Sequence, residues 1–151
     1  METTLVLVKP DGVQRGRIGS IIARFEAKGL KLVGLKLMQP ERALLEQHYA
    51  VHAERPFYGS LLKFMSAGPV AALALEGEGA IGVVRTLVGP TNGAEAAPGT
   101  IRGDYGMSKS FNLIHASDGA ETAASELALW FGEGTLDYDL NSLGWVNDPE
   151  A

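Results

Sequence analysis

The stretch Asn112-Leu113-Ile114-His115-Ala116-Ser117-Asp118 carries two apolar residues into a single histidine, then a small residue and two helix-capping residues. Asp118 and Glu121, three positions apart, have the spacing of a capping box, which predicts a helix start there. His115 is therefore expected at the end of a short strand, directly before a helix N-terminus. Unpaired N–H groups and the helix dipole make such a place favourable for an anion. A neutral imidazole there can attack phosphorus and carry it covalently. An isolated histidine more often simply ends a strand, so the remainder of the chain has to supply a phosphate site.

Upstream, Leu5-Val6-Leu7-Val8 is a continuous apolar run, read as a buried central strand that delivers Lys9 at its end before Pro10-Asp11-Gly12 turns the chain. Ile18, Ile21, Ile22 and Phe25 mark one face of a helix closed by Gly29. Leu30 to Met38 reads as a second strand. A helix carrying Leu44, Leu45 and Tyr49 follows, is interrupted at Arg55-Pro56, and gives way to another that begins near Phe57, has Leu61, Phe64 and Met65 on its apolar side, and is stopped by Gly68-Pro69. Val70 to Leu75 is a third strand; Ala80 to Val88 is largely β-branched and fits either element, and Gly89-Pro90 directly after it favours a helix ending there.

From Gly89 to about Ser110 no period is visible, and a structureless loop of that length inside a compact domain is usually either functional or a sign of a wrong assignment; here it is taken as a binding loop. It holds Thr91 and Arg102. The fourth strand ends at His115, and the helix after it runs to about Phe131. Its expected stripe is Ala120, Ala124, Leu127 and Phe131, with Ala123 and Trp130 beside it and Glu126 on the edge, partly turned toward the imidazole. Tyr138, Leu140, Leu143 and Trp145 are expected to pin the tail. The order β-α-β-(αα)-β-α-β-α is α+β. Without the inserted helix pair it is the ferredoxin-like βαββαβ pattern, a four-stranded antiparallel sheet with helices on one face and an added C-terminal helix.

A chain of 151 residues is most simply one domain, spanning 1–151. Cysteine is absent, which excludes disulfides, thiolate metal sites and a cysteine nucleophile. Met1-Glu2-Thr3-Thr4 lacks the basic region of a signal peptide and no apolar run is long enough to span a membrane, so a cytoplasmic location is expected. The net charge of −5 argues against broad attraction to nucleic acid or an anionic membrane. A phosphate site must then come from a local gathering of cations, for which Lys9, Arg85 and Arg102 are the candidates. Arg85 lies close to the apolar side of its helix. Arg102 is flanked by Gly99 and Gly103, which let backbone and guanidinium close on a ligand.

Two other motifs compete for attention. Gly77-Glu78-Gly79-Ala80-Ile81-Gly82 fits G-x-G-x-x-G, but Glu78 would sit where a pyrophosphate must approach, and no strand-end acid follows about twenty residues on. A tight turn using glycine at positive φ accounts for it better. His48 and His52 have a possible metal-ligand spacing, but no third ligand presents itself and partly exposed helix histidines are the simpler reading.

The run around His115 resembles the active-site signature of nucleoside diphosphate kinases, N-x-x-H-[GA]-S-D. The likeness extends over nearly the whole chain, from Thr4 to Trp145. Lys9-Pro10-Asp11-Gly12-Val13-Gln14-Arg15-Gly16, His48-Tyr49, Arg55-Pro56-Phe57, Arg85, Gly89 with Thr91-Asn92, and Pro98 to Asp104 fall in family order. The resemblance implies that His115 is the phosphorylated nucleophile, with Glu126 bonding its Nδ1 side or holding the ring through Ser117. It also implies that Phe57 stacks on the base, Lys9 and Asn112 hold ribose hydroxyls, Arg85, Thr91 and Arg102 hold phosphates, and Tyr49 meets the transferring group. Magnesium would ride on the phosphates of the nucleoside tri- and diphosphates, and a homo-oligomer, tetramer or hexamer, is implied. Phe111 stands where arginine is usual, Ala116 replaces the commoner glycine, and Pro90 and Gly93 depart from the usual loop. The alternatives are a phosphohistidine carrier, which leaves Phe57, Thr91 and Arg102 without a task, and a nucleic-acid module, which the acidic balance disfavours.

Overall fold

Residues 1–150 are described by a computed structural model. Strand β1 (Glu2–Val8) lies inside a sheet of order β2-β3-β1-β4, with β2 at Lys31–Met38, β3 at Val70–Gly77 and β4 at Ile114–Ala116. All three pairings are antiparallel, and β1 meets β4 with Leu7 opposite His115. This is the ferredoxin-like order read from the sequence.

The helices occupy both faces rather than one. On the first, α2 (Ile18–Lys28) and α5 (Ala80–Val88) bury Ile21, Phe25 and Val84 against Val6, Val8, Leu73 and Leu75. On the second, α3 (Arg42–His48), α4 (Tyr58–Met65) and α7 (Ala120–Phe131) bury Leu45, Leu62, Met65, Trp130 and Phe131 against Leu5, Leu7, Ala72 and Ala74. The inserted pair and the last helix thus roof the face that the βαββαβ unit alone would leave wet. That explains why residues 5–8 of β1 and 70–75 of β3 are continuously apolar instead of alternating.

Local readings differ in several places. Pro10-Asp11-Gly12 is the first turn of a short helix, α1 (Pro10–Gln14), with Lys9 extended at the N-cap and proline where its missing N–H costs nothing. The long loop contains another, α6 (Ile101–Tyr105), whose Thr100 Oγ1 accepts the Gly103 N–H at 2.9 Å. Five residues are too few to show a period. The expected capping box at Asp118 does not form: α7 starts at Ala120 and its N-cap is Gly119. Its buried face is Ala123, Glu126, Trp130 and Phe131, while Ala120 and Ala124 are exposed. The large side chains set the phase of the helix, because they gain most from burial. Tyr138 does pin the tail, through Lys31 and the Leu32 carbonyl, but Trp145 is 93% exposed. Gly79 has φ +60°, as the tight-turn reading of the glycine run requires.

Candidate active site

Leu113 places the central histidine. It is the one non-glycine residue at positive φ among those described, at +68°, and the Ile114 N–H reaches back across it to the Asn112 carbonyl at 2.8 Å. This γ-turn is a strained arrangement for a leucine. It is held from several sides. The Leu113 N–H is bound by Asp11 Oδ2 at 3.0 Å and its carbonyl by the Lys9 N–H at 2.8 Å. Arg102 brackets the turn, donating from Nε to the Asn112 carbonyl at 3.3 Å and from Nη2 to the Ile114 carbonyl at 2.6 Å. Its Nη1 meets the Gly89 carbonyl at 3.1 Å, which ties the long loop to the same point. Gly103 permits this: a Cβ there would stand 2.0 Å from the Ala97 carbonyl oxygen.

His115 is the middle residue of β4 and opens into a cleft of about 640 Å³ shared with Tyr49, Arg85, His48 and Glu126. The Glu126 Oε1 atom is 3.0 Å from His115 Nε2 and accepts the buried Ser117 hydroxyl at 2.7 Å. Burial works to raise the Glu126 carboxyl. The bond and charge of His115, the Ser117 hydroxyl and His48 together hold it below its ordinary value. It is therefore ionised at neutral pH and can only accept, so the His115 proton resides on Nε2. The Nδ1 lone pair is left free. Of the two contacts the sequence left open, the structure keeps the route through Ser117 and places the direct carboxylate bond on Nε2 instead of the Nδ1 side.

Arg85 is exposed and donates from Nη1 to the Ala116 carbonyl at 3.2 Å, which fixes its charge beside the histidine strand. Tyr49 is buried, and that burial, with Glu126 adding to it, pushes its phenol well above the usual range. It stays a neutral hydroxyl.

A second cluster adjoins this one through the backbone. Lys9 Nζ donates to Asn112 Oδ1 at 2.9 Å, and Asn112 Nδ2 donates to the Thr91 carbonyl at 3.0 Å. Burial and the neighbouring Arg102 push Lys9 down to about 8, with Asp11 opposing. Arg102 is only 7% exposed and, through burial and Arg85, is lowered to about 10, so it remains charged. Phe57 is half exposed, its ring tilted against His52 at 5.3 Å between centroids.

The structure thus gathers His115, Glu126, Tyr49 and Arg85 at one cleft, with Ser117 buried behind Glu126, and Lys9, Asn112 and Thr91 in a chain beside it. Arg102 stands behind the histidine strand, and Phe57 lies out on the α3–α4 hairpin. One residue was misjudged from sequence. His48 is not a partly exposed helix histidine: its side chain is 1% exposed and lies against His115 with ring centroids 4.8 Å apart. It shares the face of Leu45, three residues earlier, which is the only local hint of its burial. Its partner Trp130 is 82 positions away.

Comparison with known proteins gives the family. A family model described as nucleoside diphosphate kinase matches residues 2–136. A nucleoside diphosphate kinase of Picosynechococcus is 62% identical over 136 residues, covering 90% of this chain and 91% of the relative. One of Macrococcus caseolyticus is 52% identical over 147 residues, covering 97% and 99%. Among solved structures, a family protein from Babesia bovis superposes with a TM-score of 0.95 at 49% identity, covering 97% of this chain and all of that one. The halophilic enzyme of Halobacterium salinarum in complex with CDP gives 0.93 at 48%, covering 97% and 99%. With the family model matching residues 2–136 and relatives aligned over nine-tenths or more of both chains, the chain belongs to the nucleoside diphosphate kinase family.

Proposed function

We propose that His115 takes the γ-phosphoryl group of a nucleoside triphosphate and passes it to a nucleoside diphosphate. The observation that carries this assignment of roles is the Glu126 contact to Nε2, which leaves the Nδ1 lone pair free on a ring that lines the same cleft as Arg85. In the first half-reaction Nδ1 attacks the γ-phosphorus, an N–P bond forms, the P–O bond to the β-phosphate breaks, and the diphosphate departs. The charge that develops on the imidazolium is met by Glu126, which already accepts its Nε2 proton. The second half-reaction reverses these steps with a different diphosphate. A phosphoramidate keeps the transfer potential high, so the two halves are nearly balanced. Catalysis is then mainly positioning and charge neutralisation.

In this reading Arg85, Thr91 and Arg102 serve the phosphates, Arg102 with the N–H groups left over from its three carbonyl bonds. Tyr49 donates its hydroxyl to the transferring group. Lys9 and Asn112, already hydrogen-bonded to each other, meet the ribose hydroxyls. Phe57 offers a ring to the base, and stacking of this kind accepts any base because each has a π face. Magnesium arrives with the nucleotide phosphates as part of the substrate.

The chain acts as a single domain and as a homo-oligomer. Leu35 and Leu37 on the edge strand β2 are 55% and 67% exposed, an apolar edge that a second copy would cover. No helix among the described residues is long and apolar enough to cross a membrane, and we place the enzyme in the cytoplasm.

The test is to incubate the purified protein with γ-labelled ATP and magnesium, recover acid-labile label on the protein, and chase it with GDP into GTP. His115→Ala should carry no label. A wild-type protein that never carries label overturns the proposal.

A further inference from the structure

We infer that His48 is a positioning residue that acts through Glu126 to fix which nitrogen of His115 is free to attack phosphorus. The inference rests on the role proposed for His115 and extends it to a residue that contacts no substrate.

His48 is the last residue of α3, and its ring is enclosed by three others. Tyr49 meets it edge-on at 4.5 Å and 89°, His115 at 4.8 Å and 79°, and Trp130 at 5.6 Å and 84°. The Trp130 indole nitrogen lies 3.0 Å from His48 Nδ1. An indole N–H can only donate, so Nδ1 must be the nitrogen with the lone pair. A neutral His48 then carries its proton on Nε2, and Nε2 lies 3.8 Å from Glu126 Oε2. That separation is too long for a hydrogen bond. It sets a buried N–H dipole beside a carboxylate oxygen.

The two oxygens of Glu126 thereby have different duties. Oε1 accepts from Ser117 and from His115 Nε2, while Oε2 faces the His48 N–H. The terminal torsion of a glutamate is soft and nearly two-fold, so a carboxylate with one guided oxygen can swing away from its partner. Guiding the second oxygen holds the group in the orientation that keeps the His115 proton on Nε2.

His48 does this as a neutral group. Burial and the adjacent His115 push its pKa down to about 4, Glu126 opposes them, and Lys9 adds a smaller push in the same direction. A charged His48 would instead compete with His115 for the carboxylate.

The same three side chains, His48, His115 and Glu126, present ligand atoms within 4.8 Å of one another, which is a spacing a metal ion could use. The indole decides against that. A metal on Nε2 of a neutral imidazole needs the proton on Nδ1, where it would point at the Trp130 N–H, donor against donor.

Three variants test the proposal. His48→Gln returns an amide N–H near the former Nε2, His48→Asn matches only the Nδ1 side, and His48→Leu keeps bulk without a dipole. Two readouts apply: the single-turnover rate of phosphoenzyme formation with magnesium and ATP, and the His115 tautomer from ring 15N resonances without nucleotide. The Leu and Asn variants should slow phosphoryl transfer about tenfold with ADP affinity within about twofold, and should shift part of His115 to the Nδ1–H form. The Gln variant should recover most of the rate and the wild-type tautomer. An unchanged rate in His48→Leu overturns the inference. So does an equal loss in all three with the His115 tautomer intact, because that is the signature of packing alone. A zinc ion bound stoichiometrically by wild type and lost in His48→Leu would overturn it as well. A wild type that forms no phosphoenzyme fails the His115 reading instead, and the nucleotide-free tautomer measurement keeps the two failures apart.

Discussion

Glu126 and His115 lie eleven residues apart, on α7 and β4, yet Oε1 of the first sits 3.0 Å from Nε2 of the second. The contact needs the helix phase that Trp130 and Phe131 impose, because that phase turns Glu126 to the middle of the buried face. Helix packing on the second face of the sheet and the chemistry of the imidazole are therefore one problem. A residue buried to fill the core would have served stability alone. A carboxylate in that position also selects the tautomer.

Glu126→Gln should show this separation. The amide keeps the volume but loses the charge proposed to meet the developing imidazolium. A charge-assisted hydrogen bond is worth roughly 1.5–3 kcal/mol, so phosphoenzyme formation should slow about ten- to hundredfold. Binding of ADP should change less than about twofold, since the group faces the ring and not the nucleotide. A rate close to wild type in rapid-quench measurements would remove Glu126 from the mechanism.

The two arginines near the site should respond in opposite ways. Arg85 is exposed, with one bond to a carbonyl, so Arg85→Ala should lower kcat/KM about ten- to hundredfold, while unfolding free energy moves by no more than about 0.5 kcal/mol. Arg102 is buried and holds three carbonyls around a strained turn. Lysine cannot reproduce that fork, so Arg102→Lys should cost about 2–4 kcal/mol in urea unfolding. Equal stabilities of the two variants would mean that Arg102 does not brace the γ-turn.

What the sequence disclosed, it disclosed through period and punctuation. The runs at β1 and β3, the left-handed Gly29 cap of α2 and the Gly79 turn each leave a local mark, and the order of elements follows from them. The residues that gather in the cleft were legible because their motifs are short and fixed. Residues that depend on distant partners were not. His48 is judged by Trp130, Arg102 by carbonyls on both sides of Leu113, and the phase of α7 by competition between small and large side chains along one helix. The helix α6 was missed because five residues capped by Thr100 carry no period at all.

Self-association through β2 can be tested at its apolar edge. Leu37→Lys adds a charge to a side chain that is already 67% exposed, so the fold of the protomer should survive. Sedimentation velocity at micromolar concentration should then show a smaller species than wild type. The same distribution for both would exclude this edge as a subunit contact.

The buried His48 also predicts how stability depends on pH. Its native pKa is depressed from 6.5 to about 4, so above pH 6.5 neither the native nor the unfolded chain binds the proton and the group has no effect. As pH falls from 6.5 toward 4 the unfolded chain takes up a proton that the native protein refuses, and stability is lost through that window. The loss from this group should approach about 3 kcal/mol by pH 4. Glu126 acts in the same direction at still lower pH, because its lowered native pKa supplies stability above its ordinary 4.5 that disappears on acidification. His48→Gln removes the first contribution and leaves the larger causes of the second, His115 and Ser117, in place. Urea unfolding from about pH 7 down to pH 4 should show a markedly shallower decline for the variant than for wild type. Parallel declines would show that His48 is not held neutral by its surroundings.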